Sequence, residues 1–359
     1  MSMKRIILTT GGTGGHIFPA LAVADELRRR NPGIDLLFMG GAGPEGDLAR
    51  KHGIAFQELP AKGIMGKGLS GMLSGLGWLG AGIPKAMGAV KRFGPDAVIG
   101  FGGYAGFCPV LAAALLGIPT AVHEQNSVPG VTNKVLGKIV RKIFLSFPDT
   151  LGVFPAAKTI LTGNPVRASI IKAAKKRKGR TIGKRVLILG GSQGARPIND
   201  AVIAGLPKFA EAGVTLVHQA GKADYQRVRA SYETAKAAPE QVRSFIEDMD
   251  TEYANADLAI CRAGATTVFE IAAAGVPAVF VPFPQATHDH QTMNAKAMSD
   301  IGAALLIAQR DLSGDRLADA AIDLLGNPGQ LEDMEKAARG FAKKHAAADI
   351  AAGLEALAA

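Results

Sequence analysis

Lys4-Arg5-Ile6-Ile7-Leu8-Thr9-Thr10 runs straight into Gly11-Gly12-Thr13-Gly14-Gly15-His16, and far down the chain Lys184-Arg185-Val186-Leu187-Ile188-Leu189 runs into Gly190-Gly191-Ser192-Gln193-Gly194-Ala195. Each apolar run lacks polar alternation and so reads as a strand buried on both faces of a parallel sheet. Glycine then turns the chain and a helix-period segment follows. Two such openings about 180 residues apart predict an α/β protein of two Rossmann-like domains in tandem. Further strands are expected at Asp35–Met39, Ala97–Phe101 and Thr120–His123 in the first half. In the second half they are expected at Thr215–Gln219, Leu258–Cys261 and Ala278–Val281. The boundary is placed at Gly163-Asn164-Pro165, giving domains over residues 1–163 and 164–341, and Leu331 to Ala359 reads as an Ala-rich amphipathic tail.

Composition narrows the function classes. The chain has 359 residues, 48% of them hydrophobic, enough for two ordinary cores. With 41 Lys plus Arg against 31 Asp plus Glu, its net charge is +10, which favours anionic partners without choosing among nucleic acid, phospholipid and phosphorylated substrate. One Trp and four Tyr are too few for a single-strand stacking platform, so no nucleic acid is expected as a partner. Cys108 and Cys261 stand far apart in apolar surroundings and read as buried thiols of a reducing cytoplasm, with no disulfide framework and no secretion leader. No apolar run reaches the roughly 20 residues of a spanning helix.

A glycine turn at a helix N-terminus is an anion site by physics, because free N–H groups and a partial positive charge meet a backbone that a phosphate can approach. Gly11 to His16 does not fit G-x-G-x-x-G, since Ile17 stands at the third glycine. The second strand ends Met39-Gly40-Gly41 without the acid that takes a ribose, and no G-K-[ST] occurs. A dinucleotide oxidoreductase is therefore a weak alternative. A third turn, Gly100-Phe101-Gly102-Gly103-Tyr104-Ala105-Gly106, is expected beside the first at the carboxyl edge of the sheet, with His123-Glu124-Gln125-Asn126 at the same edge. In the second half, Cys261-Arg262-Ala263-Gly264-Ala265-Thr266-Thr267-Val268-Phe269-Glu270 combines strand end, glycine turn and an acid early in a helix. Glu270 then reads either as a ribose acceptor or as the partner of Thr267 in a capping box.

Asp248-Met249-Asp250 and His288-Asp289-His290 resemble metal ligands only in composition; neither supplies a convincing set, and no metal and no cofactor are expected. The segment Gly63 to Val90 carries nine glycines, an apolar stretch around Leu76, Trp78 and Leu79, and flanking lysines. It reads either as a helix packed on its own domain or as an interfacial surface for an anionic membrane.

Taken in order, the glycine turn at 11–16, Gly102-Gly103-Tyr104, His123-Glu124-Gln125-Asn126, Gly163-Asn164-Pro165-Val166-Arg167, the turn at 190–195, Cys261 to Thr266 and His290-Gln291-x-x-Asn294-Ala295 resemble the motifs of the MurG family of peptidoglycan N-acetylglucosaminyltransferases. The resemblance implies a GT-B fold, two Rossmann-like domains facing a cleft, with a last helix at about 342–359 returning to the first domain. It implies inverting, metal-independent transfer of N-acetylglucosamine from UDP-N-acetylglucosamine to the 4-hydroxyl of the N-acetylmuramoyl sugar of lipid I, forming lipid II. The expected location is the cytoplasmic face of the inner membrane, as a peripheral protein. On the donor side it implies Ser192 and the backbone of Ala265, Thr266 and Thr267 at the UDP phosphates and Glu270 at the ribose. Ile246 would meet uracil through its backbone, with Arg167, Gln291 and Asn126 completing that site. Thr13, Gly14 and Gly15 would lie against the transferred sugar and the acceptor diphosphate, and Gly102, Gly103, Tyr104, His123 and Glu124 on the acceptor side. His16 is the expected base, because a near-neutral imidazole at the sheet edge suits proton removal from a hydroxyl. The sequence departs from the family at Gly106, where many members carry serine, and at Phe107-Cys108 in place of Gly-Pro. A sugar-nucleotide 2-epimerase of the same fold is the competing reading; it would share the UDP site and need no lipid surface.

Overall fold

The computed structural model describes residues 3–12, 14–60, 68–177, 181–191 and 193–359, with side chains within 68–79 and at 176 left aside. It forms two compact units, Met1–Arg167 with Lys343–Ala359, and Ala168–Ala342.

The first unit runs β1 (Arg5–Thr9), α1 (Gly14–Arg30), β2 (Asp35–Gly40), α2 (Glu45–Lys51), β3 (Ala55–Glu58), α3 (Gly68–Phe93) and β4 (Ala97–Gly100). It continues α4 (Tyr104–Leu115), β5 (Thr120–Glu124), α5 (Val131–Leu136), β6 (Lys142–Leu145) and β7 (Thr159–Leu161). The strands form one parallel sheet in the order β3-β2-β1-β4-β5-β6-β7, so the chain reverses direction across the sheet between β1 and β4. Strand alternation splits the core in two. Ile6 and Leu8 face α1 with Leu21, Ala24 and Leu27, whereas the intervening Ile7 faces the other layer with Val90, Cys108 and Val110.

The second unit runs α6 (Ala168–Lys176), β8 (Arg185–Leu189), α7 (Arg196–Glu211), β9 (Thr215–Gln219), α8 (Tyr225–Thr234), β10 (Val242–Arg243) and α9 (Met249–Asn255). It continues β11 (Leu258–Cys261), α10 (Ala265–Ala274), β12 (Ala278–Phe280), α11 (His290–Ser299), β13 (Ala304–Leu306), α12 (Gly314–Leu325) and α13 (Pro328–Phe341). Its sheet, β10-β9-β8-β11-β12-β13, is also wholly parallel and reverses between β8 and β11. Ligands of such sheets bind at the carboxyl ends beside that reversal, which here means the loops after β1 and β4 and those after β8 and β11.

The expected single tail is two helices. α13 ends at Phe341, and α14 (Ala346–Ala358) belongs to the first unit, where Ile350, Ala351 and Leu354 enter the core against α1. Arg30 anchors it, donating to Glu355 at 2.9 Å and to the Ala348 carbonyl at 2.9 Å. Among the described residues no helix is long and apolar enough to cross a membrane.

Candidate active site

The two glycine turns of the first unit meet backbone to backbone. A Cβ on Gly11 would stand 2.9 Å from the Ala105 nitrogen, and one on Gly103 (φ +74°) would collide with the backbone of Gly11. Only glycine at both positions lets the loop after β1 lie on the start of α4. The result is a cavity of about 500 Å³ bordered by Gly11, Gly12, His16, Gly103 and Tyr104 on one side and by Gly41, Gly43 and Glu45 on the other. Thr13 lies outside the described residues; Gly14 and Gly15 open α1.

His16 is half-buried in the first turn of α1, with Nδ1 3.2 Å from the Gly11 carbonyl oxygen. A carbonyl can only accept, so Nδ1 carries a proton in this contact. A Cβ built on Gly102 (φ +84°) would come 3.5 Å from Nε2, so glycine there leaves that nitrogen room.

The polar cluster after β5 turns out differently from its expected place among acceptor contacts. His123 is fully buried: Gln125 Nε2 donates to Nδ1 at 3.0 Å, and Nε2 donates to the Gly163 carbonyl at 3.2 Å. Both ring nitrogens are engaged, and burial pushes the imidazole down to about 4, against the raising effect of the Gly163 hydrogen bond and with a smaller push from His16. Glu124 is equally enclosed. Its carboxylate accepts from the backbone N–H of Asn126 (3.0 Å) and Gly130 (3.0 Å) and from Asn133 Nδ2 (2.9 Å), which closes the loop from 124 to 133. These two side chains shape the sheet edge from inside, their polar atoms bonded to neighbouring loop and strand groups. Asn126 stays half-buried on that loop, and Arg167 lies with its guanidinium carbon 4.8 Å from the Phe18 ring centroid, two residues beyond His16. At Gly106 a Cβ would meet the Thr9 carbonyl oxygen at 3.5 Å, ordinary contact, so a serine β-carbon would fit where this chain has none.

In the second unit the loop after β8 is built by the same close approach. Gly194 (φ +84°) and Gly221 (φ +84°) pack backbone against backbone, bringing the turn of 190–195 beside the end of β9; Ser192 lies outside the described residues. A buried relay backs this contact. Tyr232 Oη donates to His218 Nδ1 (3.1 Å), His218 Nε2 donates to Asn199 Oδ1 (3.0 Å), and Asn199 Nδ2 donates to the Ala220 carbonyl (3.0 Å). Burial pushes His218 down to about 3, so it stays neutral in that relay.

α10 begins at Ala265 with Gly264 as its N-cap and no side-chain cap, so the capping-box reading of Thr267 and Glu270 does not hold. Ala265, Thr266 and Thr267 form its first turn, where the N–H groups of a helix point outward along the axis. Glu270, 6% exposed, accepts the Tyr253 hydroxyl at 3.3 Å. Ile246 is buried and donates its N–H to Gln219 Oε1 at 2.9 Å. Gln291 accepts the Phe283 N–H at 3.0 Å through Oε1. The backbone just before α11 is strained: His288 and Asp289 both adopt left-handed conformations (φ +54° and +53°). Asp289 accepts the Thr292 hydroxyl at 2.6 Å and His290 Nδ1 donates to the Thr287 carbonyl at 2.8 Å, both contacts within this turn. Sequence reasoning left aside Asn294, which donates to the Ala263 carbonyl at 3.1 Å, and Arg262, which holds the Val281 and Pro282 carbonyls at 3.0 Å each. Both fix the turn before α10, and only their place in the quoted motifs could have pointed to them.

Known proteins share this arrangement. Residues 6–145 match the Glycosyltransferase family 28 N-terminal domain and residues 185–352 the Glycosyltransferase family 28 C-terminal domain. The "UDP-N-acetylglucosamine--N-acetylmuramyl-(pentapeptide) pyrophosphoryl-undecaprenol N-acetylglucosamine transferase" of Solidesulfovibrio magneticus is 53% identical over 365 residues, covering 99% of each chain. The protein of that name from Geobacter sp. is 41% identical over 355 residues, 98% of this chain and 95% of its own. Among solved structures, Acinetobacter baumannii MurG superposes with a TM-score of 0.78 at 35% identity, covering 98% of this chain and 99% of that one. A UDP-N-acetylglucosamine 2-epimerase reaches 0.66 at 16% identity, covering 97% and 95%, a likeness of fold alone. This chain is a glycosyltransferase of family 28 and belongs to its MurG branch of N-acetylglucosaminyltransferases.

Proposed function

We propose that the protein moves N-acetylglucosamine from UDP-N-acetylglucosamine to the 4-hydroxyl of the N-acetylmuramoyl sugar of lipid I, giving lipid II and UDP. Relatedness at 53% identity over the whole length carries the reading, and the geometry of His16 supports the chemistry. Nε2 takes the proton of the 4-hydroxyl as that oxygen attacks the anomeric carbon, and the bond to UDP breaks on the opposite face, inverting the configuration. Charge growing on the departing diphosphate is met by the N-terminus of α10, by Ser192 and by Arg167. Glu270 receives the ribose hydroxyls, the Ile246 carbonyl the uracil, and Gln291, Asn126, Thr13, Gly14 and Gly15 the transferred sugar. Gly102, Gly103 and Tyr104 stand on the acceptor side, with His123 and Glu124 as the buried frame of that edge. No metal enters these steps.

The first domain is the part that lies on an anionic membrane. The Gly63 to Val90 surface is the expected contact, and its apolar centre lies outside the described side chains. The neighbouring helices support it: Leu115 is 64% exposed at the end of α4, and Val131, Val135 and Ile139 form a stripe along and just past α5, 45–48% exposed. Lys134, Lys138 and Arg141 border them, the pairing of apolar tips with a basic rim that an anionic leaflet favours.

Incubation with UDP-N-acetylglucosamine and a short-chain lipid I analogue tests the reaction. The expected products are acceptor-dependent UDP and a β-linked disaccharide. Conversion of the donor to its 2-epimer without acceptor would instead establish the epimerase reading.

A further inference from the structure

The second strand ends without an acid, yet the fold brings one to its tip. Glu45 opens α2, five residues beyond Gly40, and its side chain folds back across the end of β2, where Oε1 accepts the Gly41 N–H at 3.0 Å. A Cβ on Gly40 would meet Glu45 Cγ, and one on Gly43 would meet Oε2, so the glycines of this turn are what allow the carboxylate to lie there. The residue is 1% exposed, and Oε2 is buried without a hydrogen-bond partner. A buried carboxylate oxygen with no donor is costly to maintain. It stands in the wall of the 500 Å³ cavity that also borders His16, Gly11, Gly12, Gly103 and Tyr104.

We propose that Glu45 is an acceptor-binding residue, whose free oxygen receives a hydrogen bond from an uncharged donor on the acceptor sugar, a hydroxyl or an amide N–H, and so seats that sugar beside His16. The inference rests on reading the first domain as the acceptor side. A carboxylate only accepts, so its ligand must bring a hydrogen. It repels phosphate, which places the acceptor diphosphate at the glycine backbone of Gly11, Gly12 and Gly103 and the neutral sugar at the other wall. Among the described residues the cavity lining contains no lysine or arginine to neutralise Glu45. In dinucleotide-binding domains an acid at this same place, the end of the second strand, takes sugar hydroxyls; here a residue from the following helix supplies it.

Glu45→Gln keeps an oxygen for the Gly41 N–H and puts an amide NH₂ where Oε2 stood. The expected result is a 10- to 100-fold loss of kcat/KM for a short-chain acceptor analogue, the size of a lost hydrogen bond to a charged group. The KM for UDP-N-acetylglucosamine should stay within about twofold and the melting temperature should not move. Analogues of the acceptor that are 6-deoxy or N-methylated at the acetamido group locate the contact. Wild type should lose a similar factor with one of them, and Glu45→Gln should lose nothing more with that same analogue. Acceptor kinetics of Glu45→Gln equal to wild type, with only Glu45→Ala melting early, would reduce the carboxylate to a pin for its turn and overturn the proposal while the acceptor reading stands. A rise confined to the donor KM would overturn both. Should Glu45→Gln fail to fold, equal turnover of all the analogues by wild type overturns the proposal unaided.

Discussion

The two sheets start alike and end in different chemistry. In each, an aspartate before the strand beyond the reversal clamps the entry of the first strand. Asp96 accepts the Lys4 and Arg5 N–H groups at 2.6 and 2.9 Å, and Asp257 accepts those of Gly183 and Arg185 at 3.1 and 2.8 Å. In each, the loop after the first strand is pressed by glycine contacts against a neighbouring loop. The carboxyl edges then diverge. The first carries a half-buried imidazole and a buried carboxylate around one cavity. Among the described residues the second sets no such pair at its glycine turn; there, a neutral relay of Tyr232, His218 and Asn199 stiffens the backbone, and Glu270 lies one helical turn inside α10. Under the proposed function, one frame would serve proton removal where side chains line the glycine loops, and anion holding where the backbone itself is the ligand.

Breaking the first edge has the largest expected effect. His16→Ala should lower kcat by 10² to 10⁴, the usual cost of a missing general base. In wild type kcat/KM should fall as acid protonates the neutral imidazole, and that limb should vanish in the variant. His123 and His218 do not imitate it, since burial holds them at about 4 and about 3 and they are neutral wherever the limb lies. They act on stability instead. Because their folded pKa values lie below the ordinary value of about 6.5, their contribution is intact above that pH and declines as the unfolded chain takes up protons below it. Profiles are therefore read alongside thermal melts at each pH. A variant retaining more than about a tenth of wild-type kcat would make His16 a positioning group.

Damage to the second edge should be smaller and confined to the donor. Glu270→Ala removes a charged acceptor and should weaken UDP-N-acetylglucosamine by about 10- to 150-fold, roughly 1.5 to 3 kcal/mol. Smallest for chemistry is the membrane stripe. Val135→Asp with Ile139→Asp should release the protein from anionic vesicles in a flotation assay while turnover of a soluble acceptor changes by less than about twofold. Persistent vesicle binding would leave the attachment to the Gly63 to Val90 surface alone.

Much of this was legible in the chain, for reasons that differ by element. Central strands such as Ile6 to Leu8 and Val186 to Leu189 announce themselves because burial on both faces removes every polar residue. Edge strands do not. β7 (Thr159–Leu161) and the two residues of β10 are short, and β3 is only half-covered, so no apolar run marks them. The break between α13 and α14 is hidden because Ala342-Lys343-Lys344-His345 contains neither glycine nor proline. Proximity along the sheet edge suggested that His123 and Glu124 face a ligand; both are buried, His123 between Gln125 and the Gly163 carbonyl and Glu124 as the internal acceptor of the loop to Asn133. Glu45 was invisible for the opposite reason. Its reach back to β2 depends on the turn at Gly40 to Gly43, which spacing alone does not reveal.

The division of labour between the two edges is tested most directly by titrating UDP-N-acetylglucosamine into wild type, His16→Ala and Glu270→Ala in a calorimeter. The account predicts donor affinity within a few-fold of wild type for His16→Ala and a loss of at least tenfold for Glu270→Ala. Equal affinities for wild type and Glu270→Ala, or a large loss in His16→Ala, would contradict it.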